Sequence, residues 1–141
     1  MYNKIILIGN LTKEIEMIDA ANTKIAKSSI ASSYKYKTSS GEQKEEVCFL
    51  DFTIFGSLSN VANIYLKKGS RVLLEGRLVF EQWTAQDGTN RSKHSLRVDT
   101  MKMLGDNKDK KETVIYDRDK NINTSFNKNE EGIPFWYYIY Y

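Results

Sequence analysis

The chain has 141 residues, of which 40% are hydrophobic and 28% charged, a composition typical of one soluble globular domain. A formal net charge of +3 permits nucleic-acid binding but excludes the strongly basic tails of histone-like proteins. The single cysteine, Cys48, excludes an intramolecular disulfide, and no run of about 20 apolar residues predicts a membrane span. The N-terminus has no pattern of a cleavable leader, so we expect a cytoplasmic protein.

The first part of the chain predicts two strands. Residues 4–9 are a short apolar run rich in β-branched side chains, which is typical of a buried strand. Residues 15–18 are interrupted by Glu16 and are interpreted as an irregular extension. Residues 24–37 predict a second strand that ends in two tyrosines alternating with two lysines, and residues 38–42 predict a loop.

Residues 47–56 predict a third strand whose two faces differ. One face is apolar throughout and is predicted to face the core, so we expect Cys48 to be a buried thiol. The other face combines Phe49 and Phe55 with a carboxylate and a hydroxyl. Rings on a polar face need a partner, which is either a covering strand or subunit, or a flat ligand such as a nucleobase. Taken alone, this strand favours the covering partner.

The following residues change from strand to helix periodicity and back. Residues 57–68 carry apolar side chains at helical spacing and end in two lysines before a glycine, which predicts a helix and its end. Residues 71–83 predict a fourth strand, in which Gly76 permits a sharp bend. The pair at residues 87–88 is Asp-Gly, which predicts a hairpin turn into a fifth strand over residues 91–103.

The alternation of the last two strands predicts which side chains face inwards. Leu78, Phe80 and Leu96 fall on the core parity, whereas Ser95 and Arg97 fall on the outer parity. The order is three strands, one helix and a two-stranded hairpin. This order predicts an all-β protein, a five-stranded antiparallel barrel of the oligonucleotide/oligosaccharide-binding (OB) fold with one α-helix between strands three and four.

The composition changes after Gly105. Residues 106–131 have almost no apolar periodicity and frequent Asn, Asp and Lys. Such a segment buries too little apolar surface to offset the entropy of ordering, so we predict disorder. The formal net charge is +4 up to Gly105 and −1 beyond it. The prediction is therefore a basic OB domain over residues 1–105 and a disordered tail over residues 106–141.

The sequence contains no recognisable catalytic or metal-binding pattern. His94 is the only histidine, and it lies in the middle of a predicted strand between Lys93 and Ser95. There is no Cys/His cluster, nucleophile elbow or glycine-rich phosphate loop. We therefore predict a protein that is not an enzyme and uses neither a cofactor nor a metal ion.

The polar faces of the strands carry rings interleaved with cations, the combination that binds a single strand of nucleic acid. Bases stack on the rings at about 1–3 kcal/mol per base in any sequence, and cations pair with phosphates. A duplex hides its base faces, so such a surface prefers single strands. The candidate DNA-binding residues are Tyr34, Tyr36, Phe49, Phe55 and Trp83, with Lys35, Lys37, Arg77, Lys93 and Arg97.

Four blocks in this order and spacing resemble bacterial single-stranded DNA-binding proteins, namely residues 3–11, 49–56, 65–78 and 82–88. The resemblance covers residues 1 to about 105. It implies an OB fold, a homotetramer, and coating of single-stranded DNA without sequence preference in replication, recombination and repair. The stacking aromatics of that family correspond to Tyr36 (or Tyr34), Phe49, Phe55 and Trp83. Two of the three family tryptophans are therefore replaced here by smaller rings, and affinity per base is expected to fall.

The tail contains a second resemblance. The acidic tip of the family, which partner proteins bind, ends in Ile-Pro-Phe, and Ile133, Pro134 and Phe135 follow two glutamates here. The chain continues through residues 136–141, which are mostly aromatic, so Phe135 has no free carboxylate for a basic pocket to bind. We expect replication and repair proteins to bind this tail weakly.

Two other functions remain open from the sequence. One is a primosomal or RNA-binding OB protein, because no residue that would recognise a 2′-hydroxyl can be identified. The other is a structural OB subunit, whose exposed rings would form an oligomer interface and bind no nucleic acid.

Overall fold

The fold is described by a computed structural model for residues 1–105, 113–117 and 124–126, with only the backbone considered in the last two ranges. Eight strands and one helix lie within these ranges. The elements are β1 (Ile5–Leu11), β2 (Glu16–Ala20), β3 (Thr23–Lys37), β4 (Gln43–Phe55), α1 (Ser57–Tyr65), β5 (Arg71–Thr84), β6 (Asn90–Met103), β7 (Thr113–Asp117) and β8 (Thr124–Phe126).

Five of the strands form a closed ring. β1 pairs antiparallel with both β3 and β5, β5 pairs with β6, and β3 pairs with β4. The ring is closed by a parallel pairing in which Phe52 lies beside Leu96 and Ile54 beside Val98. The predicted five-stranded barrel with α1 between its third and fourth strands is thus confirmed. The prediction that it is antiparallel throughout was wrong, because strand directions cannot alternate around a ring with an odd number of members.

The barrel interior is filled by large apolar side chains from every strand of the ring. Phe52, Ile54, Leu74, Leu96 and Met101 are all at most 1% exposed. Helix α1 adds further apolar contacts to this core with its buried face. The core therefore lies inside the barrel, and the outer faces of the strands are left for binding.

A glycine allows β5 to bend around the barrel. The register of β5 against β6 shifts between Glu75 and Gly76. A Cβ atom at Gly76 would overlap the backbone carbonyl of Arg97 on β6. The predicted bend therefore coincides with a register irregularity at a position where only glycine fits.

Two elements differ from their predicted bounds. The helix ends at Tyr65 rather than at residue 68, because Leu66 adopts an extended backbone and turns its side chain into the core. Residues 15–18, interpreted as an irregular extension, lie mostly within β2, which spans Glu16–Ala20 and pairs with β3. A tight turn at Ala21 and Asn22, both with positive φ, connects β2 to β3. The alternation was too short to distinguish this edge strand from a loop.

Two pairs of strands extend beyond the barrel. β3 and β4 remain paired as far as Lys37 and Gln43, and β5 and β6 as far as Thr84 and Asn90. We call residues 32–48 the β3–β4 arm and residues 79–94 the β5–β6 arm. In the arms only two strands are paired, so neither face is covered by a barrel wall. The third predicted strand, residues 47–56, accordingly begins earlier, at Gln43.

The arms explain the errors in predicted burial. Cys48 and Phe80 lie on the core parity but beyond the barrel, so both are exposed, with Phe80 55% exposed. Ser95 was predicted to be outside, yet it is buried beside Leu96, where β4 packs against β6. The predicted first strand is also not buried throughout, because Ile6 and Ile8 alternate with inward residues and are exposed.

The tail contributes two short strands. β7 pairs with β6 at residues 100–102, and β8 pairs with β7. These strands lie within the segment predicted to be disordered. The proposed partner-binding residues Ile133, Pro134 and Phe135 and the aromatic residues 136–141 lie outside the described residues. Of the helices that are described, none has the length and apolar character to cross a membrane.

Candidate nucleic-acid interface

The outer face of β4 is the base of the candidate site. Alternation along β4 places Phe49, Asp51, Thr53 and Phe55 on the side opposite the core residue Phe52. Phe49 is 68% exposed, and the other three outward residues are half-buried. Because β4 pairs with β6 and β6 with β5, this face continues across three neighbouring strands.

An arginine covers the ring of Phe55. The guanidinium carbon of Arg97 on β6 lies 4.6 Å from the centre of the Phe55 ring, within cation–π distance. Arg77 on β5 is the register partner of Arg97 and is exposed. Two guanidinium groups therefore lie side by side on β5 and β6, and that of Arg97 also lies against the Phe55 ring. Guanidinium groups can pair with phosphates and also stack on bases.

A lysine connects three strands of the same face. The Lys93 ammonium lies 3.1 Å from a carboxylate oxygen of Asp51 on β4 and 3.9 Å from one of Glu81 on β5. It also lies 6.0 Å from the centre of the Trp83 ring. Burial alone would raise the pKa of Asp51, but the hydrogen bond and positive charge of Lys93 hold that pKa below its usual range.

Trp83 is displayed near the end of the β5–β6 arm. Its side chain is 45% exposed, and its register partner across the arm is Arg91. The turn that follows is held by Asp87, which accepts hydrogen bonds from the backbone and hydroxyl of Thr89 and pairs with Arg91 at 3.4 Å. The Thr89 hydrogen bonds hold the pKa of Asp87 below its usual range. Gly88 in this turn has φ of 82°, as expected for the predicted Asp-Gly turn.

The two predicted tyrosines lie elsewhere. Tyr34 and Tyr36 share the ribbon face of Cys48 and Phe52, which is opposite that of Phe49. Their ring centres are 6.2 Å apart with an interplanar angle of 23°, so they stack on each other. We call them the tyrosine pair.

Lys35 and Lys37 alternate with the tyrosine pair and therefore share the face of Phe49, where Glu45 is the register partner of Lys35. The candidate residues thus divide into two surfaces. The first surface, which we call the outer-face cluster, consists of Phe49, Phe55, Arg77, Trp83, Lys93 and Arg97. The second is the tyrosine pair.

Sequence reasoning missed two residues that lie on the same face as the outer-face cluster. Asp51 and Glu81 were not selected as site residues, although both fall on the outer parity and both contact Lys93. The signal was their alternation with Phe49 and Trp83.

A further ring contact, between Phe80 and His94 at 5.0 Å, lies on the opposite face of the β5–β6 arm. Within the described residues, no group of three or more potential ligands could hold a metal ion.

The chain is similar to known proteins over most of its length. A solved structure titled "Plasmodium falciparum SSB complex with ssDNA" superposes with a TM-score of 0.68 at 22% identity, covering 74% of this chain and 96% of that one. At this identity the likeness supports the OB fold alone.

The relatives of this chain include three bacterial proteins named "Single-stranded DNA-binding protein". The Wolinella succinogenes protein is 49% identical over 105 residues, which are 74% of this chain and 65% of that protein. The Helicobacter hepaticus protein is 41% identical over 135 residues, 95% of this chain and 79% of that protein. The Helicobacter pylori protein is 39% identical over 105 residues, 74% of this chain.

The matched region spans less than two thirds of the length of two of these relatives. It spans 65% of the length of the Wolinella succinogenes protein and 59% of that from Helicobacter pylori. A sequence profile described as "Single-strand binding protein family" matches residues 2–104, which include the whole barrel and the outer-face cluster. The chain therefore belongs to the single-strand binding protein family.

Proposed function

We propose that this protein binds and protects single-stranded DNA, without sequence preference, during replication, recombination and repair. The observation that carries the proposal is the outer-face cluster, in which exposed rings and cations lie together on three adjacent strands. The names of the relatives from Wolinella succinogenes and Helicobacter hepaticus support single-stranded DNA as the ligand.

The proposed mechanism is stacking combined with charge neutralisation, without catalysis. Phe49 and Trp83 are the most exposed rings of the cluster, so bases stack on them directly. At Phe55 a base meets the guanidinium of Arg97, which offers a flat cationic surface for stacking and hydrogen-bond donors for phosphate. Stacking depends on the face of a ring and not on base identity, which accounts for binding without sequence preference.

The charge on the β3–β4 arm extends this surface. Lys35 and Lys37 lie on the same ribbon face as Phe49, so they continue a line of cations away from the barrel. Glu45 opposite Lys35 offsets part of that charge. We therefore assign to these lysines a smaller share of phosphate binding than to Arg77 and Arg97.

The test is quenching of tryptophan fluorescence by oligo-dT, with oligo-U and a duplex of equal length as comparisons at two salt concentrations. Strong quenching by oligo-dT that weakens as salt rises supports stacking with counterion release. An absence of quenching, or an equal response to the duplex, contradicts the proposal, and an absence of quenching favours a structural subunit. Tighter binding of oligo-U favours the RNA-binding alternative.

We further propose that the protein is a homotetramer. β1 pairs with β3 only at Asn10 and Leu11, so within the described residues the β3-side edge of residues 5–9 has no strand partner. The outer face of this segment displays Ile6 and Ile8, which are 57% and 44% exposed. An open edge next to exposed apolar side chains favours pairing with a second copy. The number of four subunits rests on the family resemblance.

Sedimentation of the Ile8→Lys variant tests this association. We expect a smaller oligomer than that of the unmodified chain, because the charge would be buried between two copies. An unchanged sedimentation coefficient contradicts the role of β1. Lys13→Ala, an exposed change outside the strands, is the control and should leave the oligomer intact.

We also propose that Ile133, Pro134 and Phe135 recruit replication and repair proteins in the cytoplasm, with residues 136–141 weakening that contact. A chain that ends at Phe135 restores a free carboxylate next to the aromatic ring. Its affinity for a partner of the family should exceed that of the full chain, and equal affinity would contradict the weakening.

A further inference from the structure

Two carboxylates lie inside the proposed DNA-binding surface. Asp51 and Glu81 both face the ammonium of Lys93, at 3.1 and 3.9 Å. One cation between two ionised carboxylates has a net charge of −1, which is unfavourable beside a polyanion. Arg77 and Arg97 differ from Lys93, because Arg77 is exposed and Arg97 lies against the Phe55 ring.

The position of the three groups follows from the strand register. Glu81 on β5 is the register partner of Lys93 on β6, so the two side chains lie side by side on the outer face. Asp51 contacts Lys93 from the other flank, on β4. All three side chains are about half-exposed, so DNA bound to Trp83 would lie within reach of them.

We propose that Asp51 and Glu81 hold Lys93 in an intramolecular ion pair that keeps its ammonium from DNA phosphates. Binding at Trp83 then relies on stacking, and phosphate neutralisation on this face is carried by Arg77 and Arg97. Asp51 is in this sense a positioning residue that sets the affinity and the salt dependence of binding. The inference rests on the proposed binding of single-stranded DNA by the outer-face cluster.

The salt dependence of binding separates a free cation from a paired one. For single strands, the logarithm of the binding constant falls with the logarithm of salt concentration by about 0.7 for each phosphate neutralised. A cation already paired with carboxylates contributes little to this slope. Removal of the Asp51 charge should therefore steepen the slope by up to about 0.7, and the double variant Asp51→Asn/Glu81→Gln should approach that limit.

The experiment is a titration of the full chain with oligo-dT at about 50 and 200 mM salt. Asp51→Asn should bind more tightly than the unmodified chain at the lower salt. This advantage should shrink by up to about 2.5-fold at the higher salt, as one additional phosphate contact requires.

Asp19→Asn is the matched control, since it makes the same change of charge on β2. Asp19 pairs in register with Lys24 on β3, and Asp51 pairs with Ser29 on the same strand. Lys24 and Ser29 are five residues apart, so Asp19 and Asp51 are separated by about 16 Å along β3. If Asp51→Asn raises the affinity for oligo-dT and steepens the salt slope no more than Asp19→Asn does, the inference is wrong, because the effect is then one of net charge.

A double-variant cycle excludes simple repulsion between Asp51 and phosphate. In a Lys93→Met background, Asp51→Asn should no longer steepen the slope. An equal gain in both backgrounds contradicts the inference, because the carboxylate would then act on DNA and not through Lys93. Lys93→Met alone should change the salt slope less than Arg77→Met does. A larger change for Lys93→Met would contradict the inference.

The same titrations distinguish this inference from the proposed function. Trp83→Ala removes a stacking surface of the outer-face cluster and leaves the charges of Asp51, Glu81 and Lys93 in place. If the unmodified chain binds oligo-dT and Trp83→Ala binds equally well, the assigned surface is wrong. If Trp83→Ala binds weakly and the salt slopes do not respond to Asp51→Asn, only the role of the ion pair is wrong.

Discussion

The outer-face cluster and the tyrosine pair both display aromatic rings but lie in different surroundings. The cluster spans the barrel wall and the β5–β6 arm, and its members Phe55 and Lys93 contact residues of neighbouring strands. Tyr34 and Tyr36 lie on a ribbon of two strands and contact each other. The comparison shows that the face of a strand has no fixed character, because burial depends on what covers it.

The face that carries the tyrosine pair illustrates this point. Over Phe52 and Ile54 it is the barrel core, and at Cys48 and Tyr34 the same face is exposed to solvent. Phe55 and Trp83 lie beside cationic side chains of the neighbouring strand β6 before DNA arrives. The rings on the β3–β4 arm are less constrained, so ordering them on binding costs more conformational entropy. We therefore expect the cluster to contribute more to affinity.

The largest expected effect compares the buried and the exposed part of the strand face that carries the tyrosine pair. Phe52→Ala removes a ring from the barrel core and should lower the free energy of unfolding by about 3–5 kcal/mol. Cys48→Ala, four residues earlier on the same face, should change it by less than about 0.5 kcal/mol. Chemical denaturation measures both. Similar effects of the two variants would show that the arm is covered in solution.

The next effect concerns affinity at the cluster. Trp83→Ala should weaken oligo-dT binding by about 1–3 kcal/mol through loss of a stacking surface, without changing the oligomer. Phe80→Ala removes an exposed ring from the opposite face of the same arm and is the control. We expect Phe80→Ala to bind oligo-dT with the affinity of the unmodified chain, as measured by fluorescence and filter-binding titrations. A larger loss for Phe80→Ala would place the DNA on the other face.

The tyrosine pair should show a smaller effect. Tyr36→Ala should cost less affinity than Trp83→Ala, near the lower end of about 1–3 kcal/mol. Tyr34→Ala should resemble it, and the double variant should show coupling because the two rings are in contact. Isothermal titration with oligo-dT measures these losses. A loss at Tyr36 equal to that at Trp83 would remove the distinction between the two surfaces.

The smallest expected effect is a pH dependence of stability at Asp51. The folded pKa of Asp51 is lowered by Lys93, so its contribution is present above the unfolded pKa and is lost as pH falls through the folded pKa. In Asp51→Asn the acid-side loss of stability should be shallower. Denaturation curves at neutral and acidic pH measure the difference. If the difference in unfolding free energy between the unmodified chain and Asp51→Asn is the same at every pH, the Lys93 ion pair is contradicted.

Much of the barrel could be predicted from short-range patterns. The alternation of Phe52 and Ile54 with Phe49 and Phe55 predicted both the strand and its two faces correctly within the barrel. The change to helical spacing after Gly56 located α1, and the Asp-Gly pair located the turn between β5 and β6. These features are local, since each depends on residues within a few positions of one another.

The candidate site was predicted less completely. The cations and rings of the outer-face cluster were all selected in advance, but the tyrosine pair was grouped with them although it lies on the opposite ribbon face. Asp51 was seen as a polar member of its strand and not as the partner of Lys93. No pattern in the sequence indicates this contact, because 42 residues separate the two side chains.

The sequence by itself determined the alternating faces, the turns and the order of elements, because backbone geometry and residue chemistry act over a few positions. Only the tertiary structure decided how far the barrel covers each face, and hence that Cys48 and Phe80 are exposed. It also decided the parallel pairing of β4 with β6 and the carboxylates that surround Lys93. These outcomes depend on which distant strands become neighbours when the ring closes, and no local pattern contains that information.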